Sequence, residues 1–115
     1  MNIRNTTRNV VLADQVVVAD TPAKRMKGLL GRAGLNPGEG LLLSPCQSVH
    51  MLFMKFAVDV VFLDKDNRVA GLCENLQPFH FSPIFLESAC AVELPAGTIK
   101  QSGTQKGDTV VCPHN

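Results

Sequence analysis

The chain contains neither tryptophan nor tyrosine. Its aromatic content is six phenylalanines, so any platform for stacking nucleic-acid bases would have to be taken from residues that a core also wants. Charge of either sign is sparse: lysine plus arginine number 11, aspartate plus glutamate 10, and the formal net charge is +1. That balance lacks the basic footprint of a dedicated nucleic-acid or anionic-membrane binder and argues against nucleic acid as a partner. The four cysteines, Cys46, Cys73, Cys90 and Cys112, show no C-x-x-C spacing. No cysteine–histidine pair has established zinc spacing either, so no metal and no cofactor are expected. The N-terminus has no apolar h-region or small-residue cleavage site, and no run reaches the ~20 apolar residues of a membrane span. The expectation is a cytoplasmic protein with free thiols and no transmembrane segment.

What is present is enough apolar material for one core. With 115 residues and 45% hydrophobic content, the chain supports one domain and is too short for two. The organising stretch is Ser48 to Asp64, S-V-H-M-L-F-M-K-F-A-V-D-V-V-F-L-D. Taken at period two, Leu52, Met54, Phe56, Val58, Val60 and Phe62 share one face without a polar interruption, and only Lys55 and Asp59 break the region of the other. As one strand it is about three times the usual length of ~5 residues, which predicts a bend or bulge near Lys55 to Ala57 that splits it in two. A kink there would bring Lys55 and Asp59, ~13 Å apart on a straight strand, into one polar pocket.

Residues 1–8 read as a flexible start, 9–112 as the domain and 113–115 as a tail. Asn9 to Leu12 and Gln15 to Ala19 are β-branched runs joined at Ala13 and Asp14, the pattern of a hairpin. Thr21 followed by Pro22 is a helix start, and the amphipathic spacing that follows predicts a short helix over 22–31. Its basic residues, Lys24, Arg25 and Lys27, read as solvated surface. Gly34 to Gly40 is loop, delivering Leu41 to Leu43 as a short strand. Asp64 to Asn67 is a hairpin turn with Asn67 suited to the left-handed position, so Arg68 to Leu76 should pair back on the central run. Gln77 to Glu87 is a proline-broken apolar loop that covers the sheet. A strand follows over residues 89–94, a helical turn near 98–102, and a last strand over Thr109 to Cys112. The fold class is therefore β-rich α+β: a small antiparallel β-barrel or two-sheet sandwich of about seven strands with one short helix.

The succession A-D-T-P-A-K-R-M-K-G-L-L-G-R (Ala19 to Arg32), E-G-L-L-L (Glu39 to Leu43), H-M-L-F-M-K-F-A-V-D-V-V-F-L-D (His50 to Asp64), V-E-L-P-A-G (Val92 to Gly97) and K-G-D (Lys106 to Asp108) resembles the conserved family known as domain of unknown function 192, DUF192. The resemblance runs from about Val16 to Val110. It implies a single small β-rich domain, and no activity is agreed for the family. Some members carry an export or lipoprotein signal that this chain does not show. Many have proline where this chain has Ala57 and glycine where it has Asn67. The polar positions that match the family pattern are Arg32, Lys55, Asp59, Glu93 and Asp108.

Among candidate functional groups, Asp59 is the most informative, because a carboxylate amid Ala57, Val58, Val60 and Val61 must find donors or become protonated. Backbone N–H groups, Lys55 or Arg32 are the expected partners. Asp59 with Glu93 is the weak alternative of an acid/base carboxylate pair. Cys46 and His50, four residues apart, are the nucleophile and base candidates, although nothing supplies an oxyanion hole. His80 lies between two phenylalanines in the cover loop and would overhang any pocket there. The preferred reading is a non-enzymatic binding or accessory domain with a groove beside the central hairpin that takes a peptide, protein or small ligand through Arg32, Lys55, Asp59, Glu93 and His80. The rival is a small hydrolase or transferase using Cys46 and His50, or Asp59 and Glu93.

Overall fold

A computed structural model describes residues 2–112. The expected tail, 113–115, lies outside them. Strands β1 (Ile3–Asn5), β2 (Val10–Ala13), β3 (Gln15–Ala19), β4 (Glu39–Leu43), β5 (Val58–Leu63), β6 (Val69–Leu76), β7 (Cys90–Pro95) and β8 (Val110–Val111) are joined by helix α1 (Pro22–Lys27) and helix α2 (Thr98–Ser102). They form two sheets, one of order β2-β1-β8 and one of order β3-β4-β7-β5-β6. The architecture is thus β-rich α+β with two sheets and two short helices. The barrel alternative fails, because β3 and β6 end the larger sheet and do not pair with each other.

The long central run does not make two strands. Only Val58–Leu63 is strand, and every residue in it is buried. Lying between β7 and β6, it feeds both faces of the sheet, which is why polar alternation is absent from it. Val61 and Leu63 pack with Leu42, Val92 and Leu94 against Ile3, Leu12 and Val110 of the smaller sheet. Val58, Val60 and Phe62 pack on the opposite face with Leu29, Leu41, Leu43, Val49, Met51 and Met54. The first half, residues 48–57, is turn and loop, held instead by exchange with the cover segment. The His50–Phe81 bridge is flanked by bonds from Met51 N to His80 O, 2.9 Å, and from Ser82 N to Val49 O, 2.9 Å. Apolar periodicity here reflects a buried loop lying on a sheet, which period alone cannot separate from a strand.

Three other expectations are corrected. Residues 3–5, read as part of a flexible start, form a strand: Ile3–Asn5 is β1, paired with β2 and β8, and Ile3 and Asn5 are fully buried. Asn5 Nδ2 donates to Thr104 Oγ1 at 3.0 Å and to Asp108 Oδ2 at 3.1 Å, contacts about a hundred residues away in sequence that no local reading reveals. Val10–Ala13 and Gln15–Ala19 are not a hairpin. They belong to different sheets, and β3 runs parallel to β4. The first helix ends at Lys27, short of residue 31, because Gly28 adopts φ 44 and its N–H closes the turn on Lys24 O. Its start is as read: Thr21 accepts from Lys24 N, with Pro22 in the first turn.

The β5–β6 hairpin has Asn67 at φ 65, and Asp64 Oδ1 accepts from Asp66 N and Arg68 N at 2.9 and 3.0 Å. The cover segment does close over this end of the sheet. Phe85 lies so near the backbone of Gly71 that an added Cβ would sit 2.2 Å from its ring, and its centroid is 4.6 Å from that of Phe62. A glycine in mid-strand is the seat for that ring.

Candidate functional site

Beside the hairpin, where the sequence places a groove, Phe85 fills the space over Gly71 and against Phe62. The open space is displaced across the sheet, toward β4 and β7. There α1 and the segment 43–54 stand apart over a cleft of about 460 Å³. Its walls are mixed: Leu29, Leu43, Val49, Leu52 and Met54 give apolar surface, and Arg25, Lys27, Cys46, Gln47, Ser48 and His50 give polar surface. Exposed Met26, Leu30 and Ile84 rim the mouth. Arg25 spans the two sides, Nη1 donating to Pro45 O at 2.9 Å. Two other hollows of similar size, one between β3 and α1 and one between β2 and α2, are not lined by any buried ionisable residue.

Glu93 forms the floor. The register places it opposite Leu41 and Val60, so its side chain leaves the sheet on the face that α1 covers. It is 6% exposed. Asn5, Asp59, Ser82, Ser88, Thr104 and Asp108, the other buried polar residues, all have side-chain hydrogen bonds. Among the described residues no donor reaches the Glu93 carboxyl. Among the described residues no side-chain polar atom is both fully enclosed and unpaired, so the remaining contact of the Glu93 carboxyl is with the cleft itself. Burial pushes its pKa up to about 7, because an ion in an apolar wall loses its hydration without compensation.

The other proposed site residues are dispersed. Asp59 is fully buried on the opposite face and is saturated by backbone donors: Asn75 N at 2.8 Å to Oδ1, with Gly97 N at 3.1 Å and Ile99 N at 2.8 Å to Oδ2. It supplies from a distant strand the cap that α2 lacks locally, since Gly97 has no side chain to offer. Asp59 and Glu93 therefore cannot form a carboxylate pair. Lys55 is exposed, and among the described residues no ion pair includes it, so the expected meeting with Asp59 does not occur. Arg32 pairs with Glu39 at 2.8 Å. Asn36 N donates to the same Glu39 oxygen, and these bonds lower the Glu39 pKa. His80 is exposed and offers its carbonyl to Met51 N. It does not line the cleft.

Cys46 and His50 both line the cleft. The thiol, however, donates to Ser48 O at 3.1 Å, and the His50 ring lies against Phe81, centroids 6.5 Å apart. Burial pushes the Cys46 thiol up to about 11, and the nearby Glu93 charge pushes the same way. A thiol so held has almost no thiolate at neutral pH and is a poor nucleophile. Among the described residues no group of three or more His, Cys, Asp or Glu side chains is placed to hold a metal, and no helix is long and apolar enough to cross a membrane.

Sequence reasoning found Glu93 but not its surroundings. Arg25 and Lys27, read as plain surface, stand at the cleft. Ser48, Val49 and Leu52, read as strand, are its wall. Gly28 is the one local signal, since it ends the helix and lets the chain turn down over Leu41, 3.7 Å from where a Cβ would be.

The fold and cleft define a small two-sheet α+β domain with a partly apolar cleft that has an acid at its floor. The DUF192 family model, described as "Uncharacterized ACR, COG1430", matches residues 3–112, and the chain belongs to that family. It is similar to the UPF0127 protein of Thermococcus sibiricus, 31% identical over 92% of this chain and 71% of that one. It also resembles the UPF0127 protein of Pyrococcus furiosus, 33% identical over 90% of this chain and 91% of that one. A crystal structure of a protein of unknown function from Novosphingobium aromaticivorans shares the fold, with TM-score 0.83 and 24% identity over 96% of this chain and 82% of that one. A candidate transcription regulator from Sinorhizobium meliloti is similar at TM-score 0.78 and 25% identity, over 96% of this chain and 89% of that one.

Proposed function

We propose that this protein is a binding domain rather than a catalyst, and that its ligand, a small molecule or the end of a peptide, enters the cleft between α1 and the segment 43–54. The observation that carries the reading is Glu93: a buried carboxyl that has no donor among the described residues, at the floor of the cleft. An unpaired buried acid costs stability, and a fold that satisfies Asp59 and Asp108 so fully has the means to satisfy this one. Leu29, Leu43, Val49, Leu52 and Met54 offer apolar contact and Glu93 a buried acceptor beneath the more exposed polar groups of the lining, a combination that gains affinity from burial and orientation from a bond to the acid. The rival reading, thiol chemistry at Cys46, is disfavoured by the raised thiol and by its bond to Ser48 O.

The test is an NMR titration with small apolar fragments. Shifts confined to the amides of residues 25–30, 43–54, 84 and 93 support the reading; perturbations scattered over the surface, or absent with every fragment, refute it. Hydrolysis of an activated ester that disappears in Cys46→Ala would instead favour the enzyme.

A further inference from the structure

Building on the reading of this cleft as a binding site, we propose that its occupant is a primary ammonium on an apolar stem, the charge seated on Glu93 and the stem against Leu29, Leu43, Val49 and Met54. Among the described residues Glu93 is the only carboxylate that lines the cavity. Ionised, it can only accept hydrogen bonds, and among the described residues none is offered. An ammonium brings several donors and the opposite charge to a place where attraction is little screened. A hydroxyl brings one donor and no charge, and a carboxylate enters only if Glu93 keeps a proton.

The other charged or titratable groups around Glu93 do not reverse this preference. Arg25 and Lys27 face the cleft from α1, Cys46 and His50 from the segment 43–54, whereas β4 and β5 present Leu41, Leu43 and Val60. Arg25 keeps its charge, but its bond to Pro45 O holds one guanidinium nitrogen against the opposite wall, and the side chain is only partly buried. Lys27 and His50 are exposed, so water and salt weaken their repulsion of a cation far more than they weaken the pull of the buried floor. The cavity, about 460 Å³, accommodates a short alkyl chain or one apolar residue at the free start of a peptide. Both present the same chemistry.

Because the ammonium needs the ionised acid, its binding must strengthen as pH rises through the Glu93 titration. The probes are hexylamine, hexanol and hexanoate, with the peptide amide Leu-Leu-Ala in its free and N-acetylated forms, each followed by NMR at the cleft amides. Hexylamine is expected to bind about tenfold more tightly at pH 8 than at pH 6, given a midpoint of about 7. Hexanol should be indifferent to pH, and hexanoate should weaken as pH rises. If the source is a chain terminus, the free peptide binds best near pH 7.5, where its own amine of pKa ~7.7–8.0 is still charged, and the acetylated form does not bind. Glu93→Gln should abolish the pH response. Should that variant not fold, the contrast between hexylamine and hexanol in the wild-type protein decides alone. Hexanol or hexanoate binding as tightly as hexylamine at pH 8 overturns the ammonium while leaving the cleft as a site, and so does a midpoint that follows His50→Gln instead of Glu93→Gln. Failure of every probe to perturb the cleft overturns both.

Discussion

Asp59 on β5 and Glu93 on β7 occupy neighbouring strands, with Asp59 opposite Leu94 and Val60 opposite Glu93. One step of register puts their side chains on opposite faces of the same sheet. Asp59 points between the sheets and meets three backbone N–H groups within 3.1 Å. Glu93 points under α1 and meets an open cavity. Both are carboxylates in apolar sequence surroundings, yet one caps a helix and holds the fold while the other, among the described residues, receives no donor and faces the cleft. Burial alone therefore does not separate an acid that the fold satisfies from one that it leaves open; the donors around it do.

Substitutions should break this contrast in opposite directions. The largest effect is expected from Asp59→Asn, whose amide would turn a donor toward N–H groups of α2 and β6. Loss of the charge-assisted bonds and the orphaned donors together should cost on the order of 4 kcal/mol in urea unfolding. A loss below about 1 kcal/mol would remove Asp59 from the structural role assigned to it.

Glu93→Gln should do the reverse. The folded pKa, about 7, lies above the ordinary value of 4.5, so the folded state holds a proton that the unfolded chain releases. The proton-linked stability is fully present below pH 4.5, declines as pH rises, and is gone above pH 7. At about 1.4 kcal/mol per unit, that decline amounts to about 3 kcal/mol. The glutamine variant escapes it, so its advantage over wild type should be small at pH 4 and reach about 3 kcal/mol at pH 8. Thermal or denaturant unfolding across that range is the measurement, and an advantage independent of pH would contradict the assignment.

A second pair of regions sharpens the same point. The β5–β6 end of the α1-side face is closed by Phe85 over Gly71, whereas the β4–β7 end stays open. Gly71→Ala should displace the ring and cost about 2 kcal/mol, and its combination with Phe85→Ala should cost less than the two single changes added together, because the three atoms nearest the new Cβ all belong to that ring. The smallest effect is kinetic. Alkylation of Cys46, followed by peptide mass spectrometry, should be slow at pH 7.5 and accelerate toward pH 11, in keeping with its raised pKa. Rapid modification at neutral pH would reopen the nucleophile reading.

The parts of the fold legible in the sequence are those written in local residue chemistry. Thr21 and Pro22 start a helix; Asp64 and Asn67 make a hairpin turn; the proline-broken run from Gln77 covers the sheet. The first strand was hidden, since Asn5 looks like part of a solvated start until Asp108 and Thr104 are brought beside it. Residues 48–57 misled for a different reason: a loop buried on a sheet face needs as much apolar surface as a strand does, and period two does not distinguish them. For the site, Glu93 was visible as an acid in a strand pattern, but Arg25, Lys27 and Ile84 carried no sign of a shared mouth.

By itself the sequence determined that β strands would dominate, where several turns and one cap would fall, and that Asp59 and Glu93 would be costly to bury. These depend on neighbours along the chain, whose spacing the residue order fixes. Only the tertiary structure decided which acid received donors and which received a cavity. That choice depends on strand order and register, and on Phe85 closing one end of a sheet face while leaving the other open, contacts between segments far apart in the chain that no local pattern encodes.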